Sequence, residues 1–355
     1  MKETVLAAAL ALSLGSPSAF AAETADVVVV GAGAAGLSAS IGAAARGAKV
    51  ILLEKTTDAG GNTAFAKLGL NAAATPDQAA ARITGDSPTL FAADTIRYGH
   101  QINDAALVRA MTVTSAPVGF RGATGDGLVI ARAAGASLLD LDQLEIRPTV
   151  SVKGNVPIEE ALRARGGILL NKSGKRFTDE TGIRDIVSQD ILKQSGHSAY
   201  LVIDSEIFDA DKALQTYVDQ GLMKRCGTVA AVAKAIGANS AAVKSTLNRY
   251  YRAYDRKFDQ DFARYEMRVR LDQGPWYVAA VKPGVLATLG GIKINDRAEV
   301  LGSGDTPIPG LYAAGEVTAG VQGGNMMPGN GLTDAVTFGL IAGAKSAAYV
   351  GKTGL

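Results

Sequence analysis

Two early four-residue stretches consist of β-branched residues and leucine without interruption. Val27-Val28-Val29-Val30 and Val50-Ile51-Leu52-Leu53 alternate with nothing polar, the pattern of strands buried on both faces in a parallel sheet. Between them Leu37 to Ala45 is small and apolar, which predicts the crossover helix that joins parallel neighbours. From about Pro76 to Met111 the pattern changes to polar helices and connectors. Short strands and turns are predicted from Gly166 to Tyr200 and just beyond, with Ile168-Leu169-Leu170-Asn171 and Ala199-Tyr200-Leu201-Val202-Ile203 the clearest. Helices follow over Val229 to Ile236 and from Ser240 to about Tyr254, the second opened by an Asn239 cap. Charge and aromatic residues interleave from Arg249 to Tyr265, the pattern of a binding face or, more commonly, of a solvated amphipathic helix. Near the end, Pro309-Gly310-Leu311-Tyr312 is a strand running into the turn Ala313-Ala314-Gly315-Glu316, and Gly329-Asn330-Gly331-Leu332-Thr333-Asp334 opens a last apolar helix.

The turn after the first strand carries the chemistry. Gly31-Ala32-Gly33-Ala34-Ala35-Gly36 has the G-x-G-x-x-G spacing of a dinucleotide site. Gly31 permits the tight turn, Gly33 lets backbone N–H groups approach a pyrophosphate, and Gly36 lets the helix pack on the strand. With 42 glycines in 355 residues the spacing alone is weak, since about 0.6 matches arise by chance. Its context is specific: it follows a β-branched run and is answered at the end of the second strand by Glu54, placed to accept hydrogen bonds from an adenosine ribose. The turns at Gly60-Gly61-Asn62-Thr63 and at Gly122 to Gly127 have small residues that admit a flat ligand. The second of them reads equally well as a structural loop, with Asp126 capping a helix from Leu128 to Ala134. A helix opening at Asn330 offers its N-terminus to negative charge.

Composition narrows the possibilities. A net charge of +2 gives no broad basic field, so nucleic acid is not an expected partner. Cys226 is the only cysteine, which excludes an internal disulfide, a thiolate metal site and a C-x-x-C-H haem attachment within this chain. His100 and His197 are the only histidines and have no metal-ligand spacing; surface or cap positions are expected for both. The first residues resemble a secretion signal: Lys2, an apolar run from Val5 to Leu14, the break Gly15-Ser16-Pro17, and Ala19-Phe20-Ala21 as the cleavage site. A buried N-terminal helix is the alternative; the run is too short to span a bilayer, and no membrane insertion is expected.

Taken together these motifs resemble a known family, the FAD-dependent fumarate reductase and succinate dehydrogenase flavoproteins, especially the soluble periplasmic flavocytochrome c type and its urocanate reductase relatives. The matching stretches are GAGAAG from Gly31, GGNTAFAKLGLNAA from Gly60, GATGDG from Gly122, EALRARGGILLN from Glu160, GKRFTDETGIRD from Gly174 and PGLYAAGEVTAGVQGGN from Pro309. The resemblance implies an α/β fold: a Rossmann-like FAD-binding domain over residues 23–145 and 286–355, with an inserted α+β capping domain over 146–285. It implies non-covalent FAD, since no histidine lies between Gly60 and Ala73 to form a flavin bond. The FAD contacts carried over are Gly31, Gly33, Ala35, Gly36, Glu54, Lys55, Gly61, Asn62, Thr63, Gly69, Asn71, Asp126, Gly315, Glu316, Asn330, Gly331 and Leu332. No metal is implied. By position in the T-x-x-R-D motif, Arg184 matches the arginine that gives a proton to the substrate while flavin N5 gives a hydride, and Glu160 and Arg163 match its proton relay. The implied activity is reduction of the C=C bond of an α,β-unsaturated acid or carbonyl, in the periplasm, with electrons from an external donor such as a periplasmic cytochrome c.

Two departures qualify that reading. The family's carboxylate holders are replaced by Arg147 in IRPT, Ala287 in LATLGG and Met326 in GNMMPGN. Arg147 can form a bidentate carboxylate contact, whereas Ala287 and Met326 leave the far end of the substrate pocket apolar. A substrate with one carboxylate or carbonyl and an apolar remainder is therefore expected in place of fumarate. In addition, a long stretch of the family is absent between Leu107-Val108 and Gly122-Ala123-Thr124-Gly125, including a strand that lies beside Val27 to Val30. Either Met111 to Thr114 substitutes, or neighbouring strands close up, or the flavin domain is defective. The alternative function is accordingly a flavin-binding protein without turnover, or the inactive product of a deleted gene.

Overall fold

The computed structural model describes residues 23–65, 71–111 and 124–353. The predicted signal over residues 1–21 and the predicted FAD contact Gly69 lie outside the described residues, as do Thr112 to Thr114.

The first strand, β1 (Val27–Val30), pairs in parallel with β2 (Val50–Leu53), in a register that sets Val27 opposite Val50 and Val30 opposite Leu53. Helix α1 (Ala34–Ala44) connects them, as the apolar pattern requires. A Cβ on Gly36 would stand 1.8 Å from the Gly31 carbonyl oxygen, so only glycine lets the helix leave the turn this steeply. The small residues of α1 have a second purpose. On the C-terminal helix, a Cβ at Gly343 would meet the Ala39 carbonyl oxygen at 2.0 Å and one at Gly339 the Ala35 oxygen at 2.5 Å, so the two helices pack backbone against backbone.

One expectation is corrected here. The unbroken valine run predicted a strand covered on both faces, yet Val28 is 49% and Val30 62% exposed. Among the described residues β2 is the only partner of β1, so one edge and part of one face lack the layer that a full nucleotide-binding sheet supplies. Met111 ends the helix Ala105–Met111 and so does not itself replace the lost strand.

After the short strand β3 (Leu138–Leu139), the middle of the chain forms a five-stranded antiparallel sheet. Its path runs β4 (Leu144–Ser151), β8 (Trp276–Thr288), β6 (Ala199–Ile203) and β5 (Ile168–Leu170), and β7 (Lys224–Cys226) also pairs with β8. Alternation sorts its side chains between two cores. Leu169, Leu201, Ile203 and Val281 face one core with Ile158, Leu162 and Val187. Ile168, Leu170, Val202 and Val278 face the other, under the helices Val229–Ile236 and Ser240–Arg256. Asn239 caps the second helix as read, its Oδ1 accepting from the N–H groups of Ala241 and Ala242. A third core, with Phe91, Leu107, Ile292, Val300 and Phe338, lies against α2 (Asn330–Thr353), the C-terminal helix.

Two local readings change. The helix near Gly125 spans Asp126–Ala133 and its N-cap is Gly125 in the left-handed region (φ 83°), so Asp126 does not cap but pairs with Lys55. The strand before Gly315, Pro307–Tyr312, pairs antiparallel with Glu299–Leu301 in a separate two-stranded sheet. No described helix is long and apolar enough to cross a membrane.

Candidate active site

Arg184 is the first residue of a helix, Arg184–Leu192, whose N-cap Ile183 is non-helical. Its guanidinium is therefore carried on a rigid element and projects from the end of it. Nε donates to both oxygens of Glu160 at 3.0 Å and Nη2 to Glu160 Oε2 at 2.5 Å. Nη1 donates to Glu145 Oε1 at 2.7 Å. Glu160 Oε1 also accepts from Arg163 Nη2 at 3.0 Å, and Arg163 Nη1 donates to the backbone oxygen of Glu180. Charges of alternating sign thus run from Glu145 through Arg184 and Glu160 to Arg163, and the side chain of Arg184 is only 5% exposed.

Burial sets the electrostatics of this line, and the pairing modifies it. Burial pushes Glu145 up, with Arg184 and the Met326 N–H pulling the other way. In Glu160 burial also acts upward, but Arg184 and Arg163 together carry its carboxyl below the usual range. Burial lowers Arg163. Arg184 is raised despite its burial, because Glu160 and Glu145 hold its charge. It yields a proton only to a strong base.

Glu145 was missed by the sequence reading, which treated it as a domain boundary. It is fully buried, and its second oxygen accepts from the Met326 N–H at 2.7 Å. Its place two residues before Arg147 is a weak signal, because the β4–β8 ladder is irregular just after Glu145 and breaks the simple alternation of faces. Tyr98, at the end of the helix Pro88–Tyr98, was missed as well; it is half-buried, burial raises its hydroxyl, and Arg184, Glu160 and Glu145 act on it. His100, expected at a surface or cap, bonds through Nε2 to Asp185 Oδ2 at 2.9 Å, next to Arg184. Behind Arg163 a buried cluster was not anticipated. The Glu180 carboxylate accepts from Arg176 at 2.8 Å and from Arg264 at 3.1 Å, and Arg176 also reaches Asp259 at 2.8 Å.

Of the predicted substrate residues, Ala287 stands opposite Glu145 across β4 and β8, and Met326 meets Glu145 through its N–H. Both are buried, so this side of the site is apolar apart from Glu145 and Arg184. Arg147 lies opposite Gly284 and makes no ion pair among the described residues; its Nη2 donates to the Ile158 oxygen at 3.5 Å.

The predicted cofactor residues gather around the N-termini of α1 and α2. Gly31 has a φ of 100° and open space where a Cβ would be. Gly33 caps α1 without a side-chain hydrogen bond and bridges to Gly60. Gly61 lies 3.7 Å from Gly33, measured to its would-be Cβ, and Thr63 Oγ1 accepts from the Ala34 N–H at 2.9 Å. Glu54, partly exposed, accepts from the Ala32 and Thr56 N–H groups, which hold its carboxyl low. Lys55 reaches Thr124 and Asp126. Asn71 donates to Asn330 Oδ1 at 2.8 Å, and Asn330 donates to Thr95 at 2.9 Å. A Cβ on Gly315 would stand 2.9 Å from the Ala35 Cβ, Glu316 accepts from the Thr288 N–H, and Leu332 packs on Ala34 and Ala35 just after Gly331. Of Asn62 only the backbone, in a 3-10 turn, is described. These residues fit FAD: the glycine turn is open to a ligand, the helix behind it has no side-chain cap, and an ionised carboxylate stands at the end of β2.

The sequence model of the FAD binding domain family matches residues 26–118 and 112–332. Fumarate reductase (cytochrome) of Shewanella frigidimarina is 32% identical, over 93% of this chain and 78% of that protein. The chain belongs to the FAD-dependent fumarate reductase family of flavoproteins. FAD is its cofactor, and it is an oxidoreductase of the class that acts on carbon–carbon double bonds. Urocanate reductase of Eggerthella lenta is 32% identical over 64% of this chain and 39% of that protein. Among solved structures, the open conformation of a flavocytochrome c3 fumarate reductase superposes with a TM-score of 0.73 at 27% identity, covering 98% of this chain and 81% of that one. The alignment with the Shewanella protein runs over 447 positions, more than the 355 residues of this family member, so a large part of its relative has no counterpart here. The two family-model blocks meet at 112–118, where the sequence predicts the missing stretch.

Proposed function

We propose that this flavoprotein reduces the C=C bond of an α,β-unsaturated carboxylate or carbonyl, with Arg184 as proton donor and Glu160 and Arg163 as the route that recharges it. The observation that carries the reading is the unbroken bonding from Arg163 to Glu160 to Arg184 at a buried site. The Gly31–Gly36 turn, Glu54 and the N-terminus of α2 would hold FAD, which, once reduced by two electrons from the external donor, would supply the hydride. Arg184 then meets the strong base it requires, a carbanion beside a carboxylate or carbonyl, and protonates it. Glu160 lies against both arginines and passes the replacement proton from Arg163. Water is kept out by the burial of Ala287 and Met326.

Those two residues also select the substrate. A second carboxylate placed against them would be buried without a partner, costing several kcal/mol after relaxation, so a monoacid with an apolar or aromatic body is preferred to fumarate. The urocanate-reducing relative acts on an acid of that kind. The cap is residues 146–285, and the protein works in the periplasm after export, taking electrons from a separate donor such as a cytochrome c. The test is oxidation of reduced viologen by the FAD-loaded protein with fumarate, acrylate, cinnamate and urocanate. Cinnamate or urocanate should give the highest kcat/KM. If fumarate leads, the pocket assignment is wrong; if no substrate oxidises the dye while FAD stays bound, the protein binds flavin without turnover.

A further inference from the structure

A cavity of about 310 Å³ opens between β4 and residues 282–286 of β8, beside the active-site charges. Its lining contains two cations, Arg147 and Lys282, the amide of Asn155, and no carboxylate; Pro157, Pro283 and Leu286 are among its apolar walls. Arg147 is the unusual member. Its Nε is buried and has no hydrogen-bond partner among the described residues, and its guanidinium makes no ion pair among them. Glu160 and Glu159 act on it from beyond ion-pair distance. Lys282 is half-buried, stands opposite Val150 in the β4–β8 register, and has no partner among the described residues. The ladder is irregular between Arg147 and Val150, which is where the cavity lies.

A guanidinium whose Nε is buried without a hydrogen-bond partner is costly, and the same cavity offers a second cation without a partner among the described residues. An anion seated between the two satisfies both. The walls below are apolar, so the rest of that anion is a hydrocarbon or aromatic body and carries no second charge. We propose that this cavity is a carboxylate-binding subsite formed by Arg147 and Lys282, with Asn155 at its edge, for an organic monoanion with an apolar body. Under the reductase reading, on which this assignment of a substrate class rests, Lys282 is the specificity residue that selects an acid over its neutral amide or ester.

The test is calorimetric titration of the FAD-loaded protein with 3-phenylpropanoate, which has no double bond to reduce, and with 3-phenylpropanamide. The acid should bind at least about tenfold more tightly than the amide. Lys282→Met should cut that preference severalfold, leaving what Arg147 alone provides, Lys282→Arg should keep most of it, and the amide should bind both variants as it binds the parent protein. Equal affinity for acid and amide, or an acid affinity unchanged in Lys282→Met, overturns the proposal. Turnover is not needed for this measurement. Lys282-dependent binding without cinnamate reduction upholds the subsite and sinks the reductase reading; cinnamate reduction with a KM unchanged in Lys282→Met does the reverse.

Discussion

Asp334 gives the clearest quantitative test of how this fold handles buried charge. It lies in the first part of α2, only 4% exposed. One carboxylate oxygen accepts from Gln322 Nε2 at 3.1 Å, and the other has no partner among the described residues. Burial pushes the carboxyl up from 3.8 to about 7, against a small pull from Gln322. The folded pKa is therefore above the unfolded one. Below pH 3.8 both states hold the proton and the residue costs nothing. Between 3.8 and about 7 the unfolded chain has released a proton that the fold retains, so stability falls as pH rises, and above about 7 the loss is complete. About three pH units at about 1.4 kcal/mol each give a loss of about 4 kcal/mol. Asp334→Asn cannot ionise and keeps an oxygen for Gln322, so it should match the parent protein near pH 4 and melt several degrees higher at pH 8. Circular dichroism melts of both proteins across that range measure the difference. A gap that stays constant with pH, or that opens toward acid, refutes the reasoning.

Three further outcomes are expected. Arg184→Ala should lower alkene reduction by about 10²–10⁴-fold with the flavin-to-protein absorbance ratio unchanged; near-normal activity at full FAD occupancy would falsify its role as proton donor. Glu180→Ala should cost about 3–5 kcal/mol in denaturant unfolding, because it leaves Arg176 and Arg264 buried with too little opposing charge; a loss under about 1 kcal/mol would mean that Asp259 neutralises the cluster alone. Acid precipitation should release FAD into the supernatant, and flavin remaining on the pellet would contradict non-covalent binding.

How much of this was legible in the sequence depended on how local the signal was. The turn at Gly31, the paired strands beside it and the Asn239 cap are encoded within a few residues, and the structure has them where the pattern put them. Family motifs gave Arg184, Glu160 and Arg163, which meet as that order implies. Glu145 was not read because its significance comes from two distant partners, Arg184 and the Met326 N–H, that no local pattern connects to it. The same holds for Arg264, which approaches Glu180 only after the chain has run through β6, β7 and the helices Val229–Ile236 and Ser240–Arg256. Val28 and Val30 fail in the opposite direction. Their run correctly marks a strand, but how far a strand is covered is decided by segments elsewhere, and here a large one is missing.

That half-covered strand has its consequence outside the chemistry. Four consecutive valines with no charge or proline, offering one unpaired edge among the described residues, form the kind of segment that recruits other strands during synthesis. The buried line from Glu145 through Arg184 and Glu160 to Arg163 lies on or beside the middle sheet, a different sheet from the one with this edge. The exposed edge therefore acts on the fraction of chains that escape aggregation before flavin arrives, and not on the pairing of those four side chains.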